Sequence, residues 1–316
     1  MKNISIIVPA YNEGVYIARC LKKLIKVCEN YAAKTEIIVV DNNSTDNTGD
    51  IANSFDIKYM LSNGRSPGEV RNDGSKEAKF EILAFLDGDC VVPDNWLNKI
   101  DEAYDDPIVG AYGGEHIAPI EDNWVVTVWN PTELKEAYEK KAKLPGGNLS
   151  IRSSVFKLIG GFDENLISAE DDKLSLDVIA KGYDCVLDNH CAVVHLGYPK
   201  TLKDVYLKQV WHGFTQMKAH GAFGDKVVLV TQSWILSWLF LLNSIVFSFP
   251  NVFVLSLIGI LIFPTLIAVN RLKYHKYIKL KNCLLSIIIS IFYISGRSVG
   301  LIKEVKGFIL KVMKFE

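Results

Sequence analysis

The apolar run Ile82-Leu83-Ala84-Phe85-Leu86 ends in Asp87-Gly88-Asp89. Two carboxylates separated by one glycine can face the same side and share a hard divalent cation. No polar residue interrupts the preceding run, so both of its faces must be covered, as in a central strand of a parallel sheet. Its polar tip then lies at the carboxyl end of the sheet, where open α/β folds bind ligands. The pattern predicts a site for a metal and an anion together.

Other segments supply the scaffold such a site needs. Residues 4–9 and 36–40 are buried-strand patterns, and the second ends at Asp41 and the turn-forming Asn42-Asn43-Ser44-Thr45-Asp46. Between them, residues 14–33 place Ile17, Leu21, Leu24, Ile25 and Cys28 at helical spacing. Residues 48–55 read as a short helix, 57–61 as a third strand, and 67–79 as a helix opened by Pro67. Strands and helices alternating at this interval mean βαβ units, a parallel sheet and right-handed crossovers. From about residue 109 the pattern loosens. Gly146-Gly147-Asn148 precedes a strand-like Leu149-Ser150-Ile151, and Glu170-Asp171-Asp172 leads into a helix carrying Leu174, Leu176, Val178 and Ile179. Residues 185–195 read as a β-hairpin or strand pair.

With 316 residues the chain has room for one large domain and an appendage. Its net charge of −1 gives no electrostatic case for nucleic-acid binding. The six cysteines form no C-x-x-C pair and read as reduced, mostly buried thiols. Met1-Lys2-Asn3 and the strand after it do not look like a signal peptide, so the expected catalytic side is the cytoplasm.

Residues 227–270 contain no charged side chain. That length can cross the ~30 Å hydrocarbon core twice, at roughly 20 residues per pass. Phe249-Pro250-Asn251 is the natural break, giving helices at about 227–249 and 252–270. Arg271, Lys273, His275, Lys276, Lys279 and Lys281 then mark a cytoplasmic loop. A third apolar segment, 282–300, is interrupted by Arg297, and the tail 301–315 sets apolar residues at helical spacing among Lys303, Lys306, Lys311 and Lys314. The expectation is a re-entrant or interfacial third segment and an interfacial tail on anionic lipid. The division expected is a domain at 1–225 and a membrane domain at 226–316.

Val8-Pro9-Ala10-Tyr11-Asn12-Glu13, Val40-Asp41 with the turn after it, Arg71-Asn72, Asp87-Gly88-Asp89, Gly147-Asn148-Leu149-Ser150-Ile151-Arg152, Gly160-Gly161-Phe162-Asp163 and Glu170-Asp171 occur in that order. The ordered set resembles glycosyltransferase family 2 over roughly residues 1–220. The resemblance implies the GT-A fold and inverting transfer from a nucleotide-sugar donor, with Mg²⁺ or Mn²⁺ as cofactor. It implies Asp89 as metal ligand and Asp87 on the ribose or uracil side. Asp41, Pro9, Tyr11 and Glu13 would frame the nucleoside, and Arg71 would reach the uracil or diphosphate. Asp171 is implied as general base, with Asp172 as a rival. Asn148 and Glu170 fall on the acceptor or sugar side, and His195 in a place where relatives supply a further metal ligand. Gln209-Val210-Trp211-His212 is similar to part of the signature of processive synthases but lacks its arginine–tryptophan pair. This points to one sugar per encounter, with Trp211 covering the diphosphate or acceptor.

The sum is a membrane-anchored, non-processive transferase moving a sugar, with a lean to a UDP-linked one, onto a lipid-linked or glycan acceptor. A nucleotidyltransferase would want a basic, glycine-rich loop after the first strand, and Ala10-Tyr11-Asn12-Glu13 is neither. A catalytically degenerate membrane scaffold has no reason to keep Asp41, Asp87, Asp89 and Asp171 together. Which sugar, which acceptor and which oligomeric state are left open at this stage.

Overall fold

The computed structural model describes residues 1–120, 123–130, 134, 138–140, 143–221, 225–272 and 280–312. The chain packs as two compact units. One comprises Met1–Pro119 with Lys135–Tyr198, the other Ile120–Leu134 with Pro199–Glu316.

The first unit opens with β1 (Ile4–Ala10), α1 (Ile17–Glu29), β2 (Thr35–Asp41), α2 (Thr48–Asn53), β3 (Lys58–Leu61), α3 (Pro67–Lys76) and β4 (Ile82–Leu86). Then come β5 (Cys90–Val91), α4 (Trp96–Ala103), β6 (Val109–Gly113) and β7 (His116–Ile117). The chain leaves for α5 (Trp124–Trp129) of the other unit and returns. It continues with β8 (Tyr138–Lys140), β9 (Asn148–Arg152), α6 (Ser153–Ile159), α7 (Glu170–Ala180), β10 (Asp184–Asp188) and β11 (Val193–His195).

Among the described residues the main sheet has the order β3-β2-β1-β4-β9-β6-β10-β8. β1 runs parallel to β2 and β4, β2 to β3, and β6 to β10. β9 lies antiparallel between β4 and β6, and β8 is antiparallel to β10. This is the mixed, mainly parallel α/β sheet expected. Successive residues of β1 serve opposite cores: Ile6 and Val8 pack with Ile17, Leu21 and Trp96, whereas Ile7 packs with Ile38, Phe85 and Phe156. Covered on both faces, β4 is buried throughout, which is why its sequence shows no alternation.

Three expected spans change in the structure. The helix expected from residue 14 begins at Ile17, because the Gly14 amide donates to Asp46 Oδ2 instead (3.0 Å). The helix expected to reach residue 79 ends at Lys76, since the Lys79 amide is drawn to Glu36 Oε1 (2.7 Å) and the Phe80 amide to Ser5 Oγ (3.1 Å). Residues 185–195 do not form a hairpin. Asp188 Oδ1 accepts from the His190 amide (2.9 Å), and the resulting single turn at Asn189–Cys191 ends the extended chain. β10 therefore stays in the main sheet, while β11 joins β5 and β7 in a second, three-stranded one.

The second unit holds α5 with α8 (Leu202–Gly213), α9 (Gln216–His220), α10 (Lys226–Phe247), α11 (Pro250–Leu272) and α12 (Leu280–Val312). α10 ends where Ser248 turns left-handed (φ 55°), and Pro250 opens α11. Among the described residues three helices are long and apolar enough to cross a membrane: Lys226–Phe247, Pro250–Leu272 and Leu280–Lys306. The third apolar segment and the tail as far as Val312 form one continuous helix. Its interrupting charge, Arg297, donates Nε to Gln209 Oε1 of α8 (2.7 Å) and lies 5.3 Å from the Tyr293 ring centroid, so it is accommodated without a break. Lys273, His275, Lys276, Lys279 and Lys314 lie outside the described residues.

Candidate active site

Strand register assembles the site. β4 pairs with β9 so that Leu86 faces Asn148, and the Asp87 amide donates to the Gly147 carbonyl (3.2 Å). Residues 60 apart in sequence thus become neighbours at the sheet's rim. Gly147 approaches so closely that a Cβ there would lie 2.4 Å from Asp87 Oδ2 and 2.9 Å from His116 Nε2. On β5 and β11, Cys90 faces His195 in the antiparallel register. His195 Nε2 comes 3.3 Å from Asp89 Oδ2, and the Leu196 amide donates to the Asp89 carbonyl (2.9 Å).

Asp89, Cys90 and His195 are buried, and each offers a ligand atom within 4.8 Å of the others. Beside them the His116 and His195 rings meet edge to face at 5.2 Å, and His116 Nε2 is buried without a hydrogen-bond partner. A carboxylate with imidazole nitrogens in reach is a donor set that suits a divalent ion. Burial, and then His195, lower His116 to about 4, so its imidazole is neutral and can accept at that nitrogen.

Arg71, on α3, occupies the centre. Ser66 caps this helix by accepting from the Glu69 amide (3.2 Å), with Pro67 in the first turn. The buried Arg71 guanidinium donates Nη1 to Glu170 Oε1 and Nη2 to Asp87 Oδ1, both at 2.8 Å, and lies 5.6 Å from the Phe162 ring centroid. Asn72 fixes that ring by bonding the Phe162 amide and carbonyl (3.0 Å each). Burial opposes ionisation of Asp87, but Arg71, His116 and His195 outweigh it and hold the carboxyl below its ordinary value.

On the opposite side of Arg71, Ala169 adopts a left-handed conformation (φ 62°) that starts α7. Asp171 Oδ2 accepts from the Gly146 amide (2.8 Å), and Oδ1 accepts from the Asp172 amide (2.9 Å). Burial, and then Asp172, raise Asp171. Burial likewise pushes Glu170 up to about 7; Asp171 adds to the rise and Arg71 opposes it. Asp172 instead pairs with Lys143 Nζ (3.2 Å).

The first two loops are stitched together. Asn12, left-handed at φ 56°, donates its amide to Ser44 Oγ (2.9 Å) and accepts from the Thr45 amide (2.8 Å), while the Glu13 amide donates to Thr48 Oγ1 (2.8 Å). Tyr11 is exposed on this rim, and Pro9 and Glu13 line the space a Cβ on Gly88 would enter. Asp41 is buried and accepts from the Ser44 amide and the Tyr59 hydroxyl (2.9 Å each).

The structure thus brings Arg71, Asp87, Glu170 and Asp171 into one network, with Asp89 and His195 beside it. Asn148 is placed differently from expectation. It is buried, its Oδ1 accepts from Trp96 Nε1 (2.9 Å), and its Nδ2 donates to the carbonyls of Gly114 (2.9 Å) and Cys191 (2.8 Å). Trp211 belongs to the second unit, 40% exposed, against the His212 ring at 4.9 Å. His116, Cys90 and Tyr59 are site neighbours that sequence reasoning missed. Only the partner strand of β11 could have pointed to His116, and β7 is two residues long.

Residues 5–160 match the family model for glycosyl transferase family 2. That stretch is a glycosyl transferase family 2 domain. Relatives of this glycosyltransferase include the glycosyltransferase AglE of Haloferax volcanii, 28% identical over 62% of this chain and 67% of its own length. The probable glycosyltransferase YdaM of Bacillus subtilis is 28% identical over 58% of this chain and 48% of its own, so the chain spans about half of that relative. A mannosyltransferase from Pyrobaculum calidifontis, solved in complex with GDP-Man and Mn²⁺, shares the fold. Its TM-score is 0.61 over 95% of this chain and 87% of that one, at 17% identity. The glycosyltransferase sheet described above is therefore a GT-A sheet.

Proposed function

We propose that the first unit transfers a sugar from a nucleoside-diphosphate sugar to an acceptor hydroxyl, inverting the anomeric centre. The observation that carries this reading is the single cation Arg71 spanning two carboxylates of different character, Asp87 held low and Glu170, next to Asp171, held high. Asp171 acts as general base: it takes the hydroxyl proton as that oxygen bonds the anomeric carbon and the nucleoside diphosphate leaves from the opposite face. Its raised proton affinity suits that task, and its place beside Gly146 favours it over Asp172, which Lys143 engages. Asp41, Pro9, Tyr11 and Glu13 frame the nucleoside.

Asp89 and His195 would hold a divalent ion, with Cys90 and His116 within reach. When bound, the ion neutralises charge developing on the diphosphate. The presence of imidazole argues for Mn²⁺ over Mg²⁺, which prefers oxygen and water. Arg71 acts by positioning Asp87 and Glu170 rather than by binding the diphosphate directly. Asn148 acts as an internal tie.

The three apolar helices argue for a membrane-bound enzyme, and the basic residues after the second of them for a cytoplasmic catalytic side. A lipid-linked or glycan acceptor suits that setting, with one sugar added per encounter. UDP-sugars are the first donors to test, with GDP-Man beside them because the Pyrobaculum enzyme was solved with it. The test is a melting-temperature panel of nucleotide-sugars with Mn²⁺, in which a donor raises stability with its concentration. Asp171→Asn should keep that shift and lose donor turnover. Normal turnover in Asp171→Asn removes it as base, and a panel without any shift removes the transferase reading.

A further inference from the structure

Among the described residues of the second unit, one partly buried cation has no counter-ion. Arg271, the penultimate residue of α11, has its guanidinium 4.5 Å from the Trp129 ring centroid and 5.4 Å from that of Tyr293. Its Nη1 is buried without a hydrogen-bond partner, and no hydrogen bond or ion pair joins Arg271 to a described residue. Arg297 approaches the same Tyr293 ring, at 5.3 Å. That second guanidinium is engaged by Gln209 and, at 3.4 Å, by the His212 carbonyl, both uncharged groups.

The described carboxylates of this unit are committed elsewhere. Among the described residues they are Asp204, Asp225 and Glu304. Asp204 closes a capping box with Thr201, Asp225 caps α10, and Glu304 accepts from the Met217 and Lys218 amides at the start of α9. Two guanidinium groups thus approach one aromatic ring in a largely apolar unit, and cation–π contact is the only partner found for Arg271 among the described residues. A partly buried arginine left with unmade hydrogen bonds is costly, and in a chain with membrane-crossing helices it marks a ligand site. Its flat fork of donors matches a phosphate or carboxylate. Its place at the end of a candidate membrane span, followed in sequence by Lys273, Lys276, Lys279 and Lys281, selects phosphate, the anion found at that depth.

We propose that Arg271, set against Trp129 and Tyr293 with Arg297 at the same Tyr293 ring, binds the phosphate group of an anion at the membrane surface. The same chemistry could come from a lipid headgroup or from free phosphate. The site is read by binding and is independent of the transfer reaction.

The experiment uses the full chain in phosphatidylcholine nanodiscs with and without phosphatidic acid, and separately in uncharged detergent with inorganic phosphate. Dissociation constants are measured for the native chain and for Arg271→Gln. The expected result is binding in at least one phosphate arm that Arg271→Gln weakens about tenfold or more. Binding confined to the phosphatidic acid nanodiscs assigns the site to a lipid, whereas binding of inorganic phosphate as well assigns it to the phosphate group itself. Absence of binding in both arms, or equal constants for the two chains, overturns the proposal. Should Arg271→Gln fail to fold, arginine modification of the native chain by phenylglyoxal, mapped by mass spectrometry, decides. The bound phosphate must protect Arg271, and unchanged labelling overturns the site.

Discussion

Gly197→Ala separates the metal reading from the fold. A Cβ at position 197 would lie 2.1 Å from Asp89 Oδ2 and 3.2 Å from its Cγ, with His195 Cε1 at 3.5 Å. The Asp89 carboxylate must therefore retreat by about 1 Å, the scale on which misplaced groups at an active site cost roughly 100-fold in rate. The atom displaced is the one that faces His195 Nε2 at 3.3 Å. Because it is the free end of a short side chain, rotation relieves most of the clash, and the folding cost stays near ~1 kcal/mol, the low end for overpacking. The expected outcome is a protein that melts within a few degrees of the native one, binds Mn²⁺ at least about tenfold more weakly by electron paramagnetic resonance, and turns over donor roughly 100-fold more slowly. Asp89→Asn is the reference for full loss. Native Mn²⁺ affinity in Gly197→Ala would refute the assignment of Asp89 and His195 as the ion's ligands.

Three further outcomes follow from the same geometry. Asp171 must be ionised to accept a proton, and burial with Asp172 raises it above its ordinary 3.8, so kcat/KM should fall as pH drops through that raised value. Asp172→Asn removes one cause of the rise and should move this acid limb to lower pH; a limb that stays put or moves up contradicts the assignment. Arg71→Lys cannot span Asp87 and Glu170 at once and leaves a buried acid unpaired, which should cost about 3 kcal/mol in denaturant unfolding. Asn148→Ala removes three internal hydrogen bonds and should lower stability by about 3 kcal/mol while KM for donor and acceptor holds; a selective rise in acceptor KM would return Asn148 to the substrate side.

Much of the first unit was legible because its signals are local. The unbroken apolar runs of β1, β2 and β4 follow from burial on both faces, and Ser66-Pro67 marks the start of α3 by capping chemistry. Asp41, Asp87 and Asp89 stand at strand ends and are recognised by that position alone. What was not legible is pairing between distant segments. Residues 185–195 have strand composition at both ends, but whether they pair with each other depends on β6 and β7, which lie about 75 residues upstream. His116 enters the site through that same pairing. Asn148 lies in a glycine-rich segment that resembles a substrate loop, yet its amide is claimed by Trp96, Gly114 and Cys191, three partners remote in sequence. Arg297 reads as a stop in an apolar run because its partner, Gln209, lies on another helix.

The electrostatic division of the site explains why one buried arginine is kept among several acids. An enzyme that expels a diphosphate while deprotonating a hydroxyl needs carboxylates of opposite proton affinity a few ångströms apart. Arg71 is shared between both kinds. On the Asp87 side its charge is the largest influence that keeps the carboxyl ionised against burial. On the Glu170 side it meets two adjacent acids, Glu170 and Asp171, and one guanidinium contact does not offset their burial and mutual repulsion. The asymmetry follows from the acid next door: Glu170 has a second carboxyl, Asp171, beside it in sequence, and burial together with that repulsion raises it where the guanidinium alone would lower it. Gly146 and Gly147 let the backbone pass between the two sides: a Cβ on Gly146 would press on Asp171 Cβ at 3.1 Å, and one on Gly147 would meet Asp87 Oδ2 at 2.4 Å. On the reading proposed above, splitting the carboxylates in this way would let Asp171 take up a proton close to the Asp89 and His195 pair that would hold the cation.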